Sequence, residues 1–164
     1  MSSLLKYRLS LGLFVFGLVV SGVTAFPLQL ELDFLVAALK IESSSTRTGF
    51  EQWILTVRDG LKETYAKYPW MGYGTDWLAF GHLIIALFFI GPFQDPVRNE
   101  WVLKVGLVAC ALVIPLALIC GPIRHIPVGW RLIDCSFGVI GALPLLYCLR
   151  LSRKLRQHAQ TQRG

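Results

Sequence analysis

Charge is scarce in this sequence: Asp, Glu, Lys and Arg make up 16% of its 164 residues, against about a quarter in soluble domains. Hydrophobic residues make up 54%, and so little charge cannot cover a water-facing surface, which excludes an ordinary soluble domain. Histidine is rarer still, with His82, His125 and His158 only, and no E-x-x-H or H-x-x-x-H spacing occurs. A metal site of the hydrolase type therefore has no ligand set, and a haem between His82 and His125 is disfavoured because His125 falls in a loop. The four cysteines, Cys110, Cys120, Cys135 and Cys148, form no C-x-x-C pair, which argues against a thiol-disulfide oxidoreductase. Without G-x-S-x-G or a similar motif, nucleophilic hydrolysis lacks a positioned serine. No catalytic residue, metal or cofactor is assigned.

What is present is long apolar runs. Four blocks stand out, Leu9 to Phe26, Trp77 to Gly91, Trp101 to Gly121 and Val128 to Leu149, each near the roughly twenty residues a helix needs to cross a bilayer. They lack the alternation of strands, and unpaired backbone groups are not tolerated in lipid, so helices are expected. The expected fold class is all-α, an integral membrane four-helix bundle with amphipathic surface helices between the first and second spans. The organisation follows: 1–26 a first transmembrane helix, 27–74 surface helices and an aromatic loop, 75–149 three transmembrane helices, and 150–164 a basic tail. The first block also fits a signal peptide, with Lys6 and Arg8, an apolar core and Val23-Thr24-Ala25; a retained helix is preferred because the apolar run continues through Ala25.

The net charge of +6 is explained by topology. Lys6, Arg8, Arg98, Lys104, Arg150, Arg153, Lys154, Arg156 and Arg163 all fall on one side if both termini are cytoplasmic, as the positive-inside rule requires. The expected location is the cell inner membrane, multi-pass. The tail can meet anionic lipid headgroups, a homo-oligomer or membrane-protein partner is open, and nucleic acid is not expected.

Between the first two spans, Pro27 suits a first helical position and Leu28, Leu32, Leu35 and Leu39 follow at helical spacing. A second helix over Phe50 to Lys67 carries Phe50, Trp53, Ile54, Val57, Leu61 and Tyr65 on one face. Neither helix has an evident core of its own, so both are expected to lie on the outer membrane surface or to cap the bundle. Tyr68 to Trp77 is dense in Tyr and Trp, which favour the headgroup level; the rings can anchor at the interface or roof a small-ligand pocket. In the turn Gly91 to Glu100, Asn99 or a neighbour is expected to cap the third span.

Small and polar residues form stripes at helical spacing: Ser10, Gly17, Ser21 and Thr24; Thr75, Ala79, His82 and Ala86; Gly106, Cys110, Val113, Ala117 and Cys120; Arg131, Asp134, Gly138, Gly141 and Leu145. Such stripes let helices approach closely. Arg131 and Asp134, one turn apart, are expected to face inward and can pair. Asp134 falls about 9 Å below the helix start and His82 at a comparable depth. The candidate polar cluster is Asp76, His82, Arg131 and Asp134, with Tyr73, Arg124 and His125 as loop contacts. Intramembrane ionisable groups point to function by default, while a structural Arg–Asp pair, or a His82 bonded to a backbone carbonyl or Ser136, is the plainer reading.

The segments SGVTAFPL (21–28), YGTDWLAFGHL (73–83), FIGPFQDPVRNEWV (89–102), GPIRHIP and WRLIDCSFG resemble an uncharacterised family of small bacterial four-helix inner-membrane proteins. The resemblance implies an inner-membrane location and places Asp76, Arg98, Arg131 and Asp134 in the family's pattern; it implies no reaction. A non-enzymatic binding or assembly component is the expected function. The alternative is a ligand or proton pathway, in a transporter or lipid-modifying enzyme subunit, built on the His/Arg/Asp cluster.

Overall fold

The computed structural model describes residues 2–44 and 46–161, with side chains through Gln157; Arg163 and the side chain of His158 lie outside them. The described residues are helical almost throughout and contain no strand. The helices are α1 (Ser3–Ala25), α2 (Leu28–Ala38), α3 (Gly49–Lys67), α4 (Gly72–Phe88), the short α5 (Ile90–Gln94), α6 (Glu100–Ile123) and α7 (Val128–Thr161), with 3-10 turns at Ile41–Ser43 and Pro69–Met71. Four stretches are long and apolar enough to cross a membrane: Ser3–Ala25, Pro69–Gln94, Glu100–Ile123 and Val128–Gln157.

A long apolar helix is found at each of the four expected places, with shifted ends. The second starts earlier than Trp77, because Pro69 opens a 3-10 turn that feeds directly into α4 at Gly72. The fourth does not stop at Leu149: α7 carries the helix on through Arg150, Arg153 and Lys154, so the part of the basic tail that is described continues that helix.

The chain divides into two compact units, Met1–Gly17 with Ala86–Gly164, and Leu18–Ile85. In the first, α6 and α7 form a hairpin across a four-residue connection, Arg124–Pro127, which makes them antiparallel neighbours. The stripes expected on these helices meet. Gly138 rests on the Cys110 carbonyl oxygen; Gly141 faces the Cys110 sulfur, and Gly106 faces Leu145 and Phe89. The start of α1 joins them through Tyr7 and Leu11, both fully buried. Ser10 Oγ donates to the Pro144 carbonyl at 3.2 Å, and the Cys148 thiol donates to the Tyr7 carbonyl at 3.5 Å.

One end of this unit is polar inside. Ser152, fully buried, donates to the Pro96 carbonyl at 2.8 Å, and the buried Glu100 carboxylate pairs with Lys104 at 2.9 Å and with Arg156. Asn99 sits at the N-cap of α6 but does not cap it with its side chain. Its amide donates backward instead, to the carbonyls of Gly91 at 3.0 Å and Asp95 at 3.1 Å, closing the α5–α6 turn.

In the second unit, the expectation that α2 and α3 lack a core is corrected: α2, α3 and the 3-10 turn between them pack together and bury Val36, Ile41, Ile54 and Leu55. Read one helix at a time, each apolar face gives no sign that the other helix covers it. Paired, they form a hairpin. Arg58, its side chain 16% exposed, reaches Glu42 at 2.6 Å, Asp59 at 2.8 Å and Asp33 at 3.9 Å, tying α3 to α2 and to the turn between them. Hydrogen bonds to Glu42 and Asp59 raise the Arg58 pKa above its ordinary value. The start of α3 is fixed by a capping box: the Glu51 N–H donates to Thr48 Oγ1 and the Glu51 carboxylate accepts the Thr48 N–H at 2.7 Å.

The first stripe on α1 is also corrected. Gly17 and Ser21 are exposed, and the close approach in this unit is made by Gly22, against the Ala79 carbonyl at 3.0 Å and His82 Cβ at 3.1 Å. Small residues are necessary for such a contact, but the face is chosen by what α4 presents. The Ala79 and His82 positions of the α4 stripe do face a neighbour.

Candidate functional site

Where α1 ends and α4 begins, the chain turns sharply twice, at Phe26-Pro27 and at Pro69–Met71. The two turns leave an open groove of about 590 Å³. One wall is Phe26 to Leu30; the others are Tyr65, Pro69, Trp70, Gly72, Tyr73, Thr75 and Asp76. It lies wholly within the Leu18–Ile85 unit.

Local geometry holds the groove in shape. Tyr65, near the end of α3, bonds its hydroxyl to Thr75 Oγ1 at 3.1 Å, and its ring lies over Gly72, where a Cβ would meet it in ordinary van der Waals contact at 3.5 Å. The first turn of α4 is thereby docked on the last turn of α3. Tyr73 and Trp77 meet edge to face at 5.9 Å, and Trp77 meets Phe80 at 5.8 Å, which fixes the Tyr73 ring at the rim. Beside the groove, the Lys67 ammonium stands 5.1 Å over the Tyr68 ring, itself edge-on to Trp70.

The groove carries one formal charge. Asp76 is half-buried, and its carboxylate takes part in no hydrogen bond or ion pair among the described residues. Of the walls, Gln29, Tyr65, Tyr73 and Thr75 add polar atoms, and none is Lys, Arg or His. An unneutralised carboxylate partly withdrawn from water is unfavourable unless something complements it.

Of the residues expected from sequence, Asp76 and Tyr73 thus come together. His82, in the same unit, donates its Nδ1–H to the Leu78 carbonyl at 2.8 Å, the plainer of its two expected roles. Ser136, its other suggested partner, bonds the Ile133 carbonyl.

Arg131 and Asp134 belong to the other unit and are described there. The expected bridge between them is not formed: among the described residues no ion pair involves either, and Asp134 is exposed rather than inward-facing. Arg131 runs its aliphatic stem across Gly121 of α6, with its Nε buried and unbonded. Helical side chains lean toward the N-terminus, so an Arg placed before an Asp leans away from it, and the reverse order is the better one for pairing. Arg124, at the C-cap of α6, is exposed, and so is His125, held at φ 56° in the left-handed region.

Tyr65, Gln29 and Thr75 were not expected in a site. Tyr65 reads as one more apolar-face residue of α3, and Gln29 as a polar residue of α2. Only the density of rings from Tyr68 to Trp77 signals a pocket. Among the described residues no three His, Cys, Asp or Glu side chains gather to hold a metal. No protein-family model matches the chain, and neither curated proteins nor solved structures give a match.

Proposed function

We propose that this chain is a multi-pass protein of the bacterial inner membrane, a four-helix bundle with both termini cytoplasmic. In this reading it acts as a non-enzymatic binding component, taking a ligand into the Asp76 groove on its outer face. Membrane insertion is supported by large apolar side chains left exposed on every candidate span, among them Leu13, Phe16, Phe88, Leu112, Leu116 and Phe137. A protein in water does not keep so much apolar surface uncovered. The orientation rests on charge: Arg150, Arg153 and Lys154 are exposed on the extension of α7, where they suit anionic headgroups. The α2–α3 hairpin, which mixes both signs, then lies outside. The resemblance to small inner-membrane proteins agrees with this location.

The observation that carries the binding reading is the groove itself, of about 590 Å³, within the range of about 300 to 1,000 Å³ usual for ligand sites. Native mass spectrometry of gently solubilised protein tests it. The expected result is a stoichiometric adduct on the wild type that Gln29→Trp, which places an indole in the groove, removes without lowering the melting temperature. An adduct that survives Gln29→Trp lies elsewhere and defeats the reading.

A further inference from the structure

The groove's walls also indicate what kind of ligand enters. We infer that it selects a cation, an alkyl-ammonium group of the kind carried by an ethanolamine headgroup; this rests on the binding reading above.

Three features of the walls converge on that class. The only charge on the walls is the Asp76 carboxylate, with no Lys, Arg or His among the lining residues, so an anion would be repelled and a neutral group would leave the carboxylate uncomplemented. The rings of Tyr65, Trp70 and Tyr73 line the same groove, and the faces of such rings attract ammonium groups. Gln29 and Thr75 add oxygen acceptors for N–H donors. The neighbouring surface already holds an ammonium in this way, since the chain's own Lys67 stands 5.1 Å over Tyr68. The exposed rings Trp70 and Tyr73 and the apolar Phe26 and Leu30 at the rim suit the glycerol and first methylenes of a lipid whose headgroup is bound.

The opposing account is that Asp76 only complements the positive end of α4, on whose first turns it sits. That role would give Asp76 an effect on stability and none on ligand choice. The two are separable by one titration on the full-length protein in detergent, read by native mass spectrometry, with phosphatidylethanolamine and phosphatidylglycerol as probes. Wild type is expected to prefer the ethanolamine lipid by about tenfold, the size of a single charge-assisted contact. Asp76→Asn erases the preference and Asp76→Glu keeps it. Trp70→Leu and Tyr73→Leu, at exposed positions that tolerate change, weaken binding of the ethanolamine lipid several-fold, and they serve as the test should Asp76→Asn fold poorly.

Soluble glycerophosphoethanolamine separates the two sources of the same chemistry. Competition by it marks a free amine as sufficient, and its failure to compete marks the intact lipid. Equal or stronger binding of phosphatidylglycerol, or a preference unchanged in Asp76→Asn, overturns the cation assignment. If Gln29→Trp still displaces the bound lipid in that case, the groove remains a binding site and only the ligand class is wrong. If Gln29→Trp displaces nothing, both readings fall.

Discussion

Gly138 of α7 lies against the backbone carbonyl oxygen of Cys110 in α6, so close that no Cβ fits between them. The partner is backbone and cannot rotate away, so the two helices would have to separate to admit a side chain. Gly138→Ala is therefore expected to destabilise by about 1 to 3 kcal/mol, the usual range for overpacking. Gly17, whose Cβ position has nothing within 4 Å, is the control. There Ala replaces Gly in an open helix interior, and a gain of up to about 1 kcal/mol is expected. Thermal unfolding of both variants in detergent checks the contrast, and equal effects would mean that the α6–α7 contact is looser than described.

Arg131 and Asp134 make a second comparison. With Arg131 packed through its stem on Gly121 and Asp134 exposed, Arg131→Met keeps the contact and Arg131→Ala loses it. Arg131→Ala should cost about 1 kcal/mol more than Arg131→Met, while Asp134→Asn stays within about 0.5 kcal/mol of wild type. A large loss on Asp134→Asn, recovered when both residues become Leu, would instead reveal a closed ion pair.

These two cases show what the sequence made legible. The four long apolar helices are, because runs of about twenty apolar residues, the length a helix needs to cross lipid, stand out in a chain. The α6–α7 contact is, because Gly106, Cys110, Gly138 and Gly141 repeat at helical spacing and their small size matters in any register. The Arg131–Asp134 bridge is not, because spacing places two residues on one face without saying which way a long side chain leans. The α2–α3 core is not, because each amphipathic face makes sense only when the other is present, and the groove is divided in the same way between residues 26–30 and residues 65–76. Tyr65 and Gln29 acquire their role only when the turns at Pro27 and Pro69 bring the two segments together.

The capping box of α3 should make the hairpin sensitive to acid. Hydrogen bonds from the Thr48 N–H and hydroxyl hold the Glu51 carboxyl below the usual carboxylate range. A depressed folded-state pKa means that the stabilisation is fully present above the unfolded value and is lost as pH falls through the folded one. Amide exchange in the first turn of α3 is thus expected to be protected evenly from neutral pH to mild acid, with protection falling below the ordinary range. Glu51→Gln should flatten that dependence and Thr48→Ala should weaken protection at every pH. A pH profile unchanged in Glu51→Gln would place the titrating group elsewhere.

Tyr7 gives the last test, because its ring and its hydroxyl have opposite consequences. The residue is fully buried in its unit, and its hydroxyl has no hydrogen-bond partner among the described residues. A buried hydroxyl left unbonded costs about 1 to 3 kcal/mol of desolvation, whereas the ring fills space beside Leu11 and Cys148, which are also fully buried. Tyr7→Phe removes the unfavourable atom and keeps the ring, so it should leave the melting temperature unchanged or raise it. Tyr7→Ala, which empties the site, should cost about 3 to 5 kcal/mol. The backbone contact from the Cys148 thiol to the Tyr7 carbonyl survives both changes and does not confuse the comparison. A loss of about 1 kcal/mol or more on Tyr7→Phe would mean that the hydroxyl is bonded in the folded protein, and that this end of α1 holds a polar contact rather than a dry one.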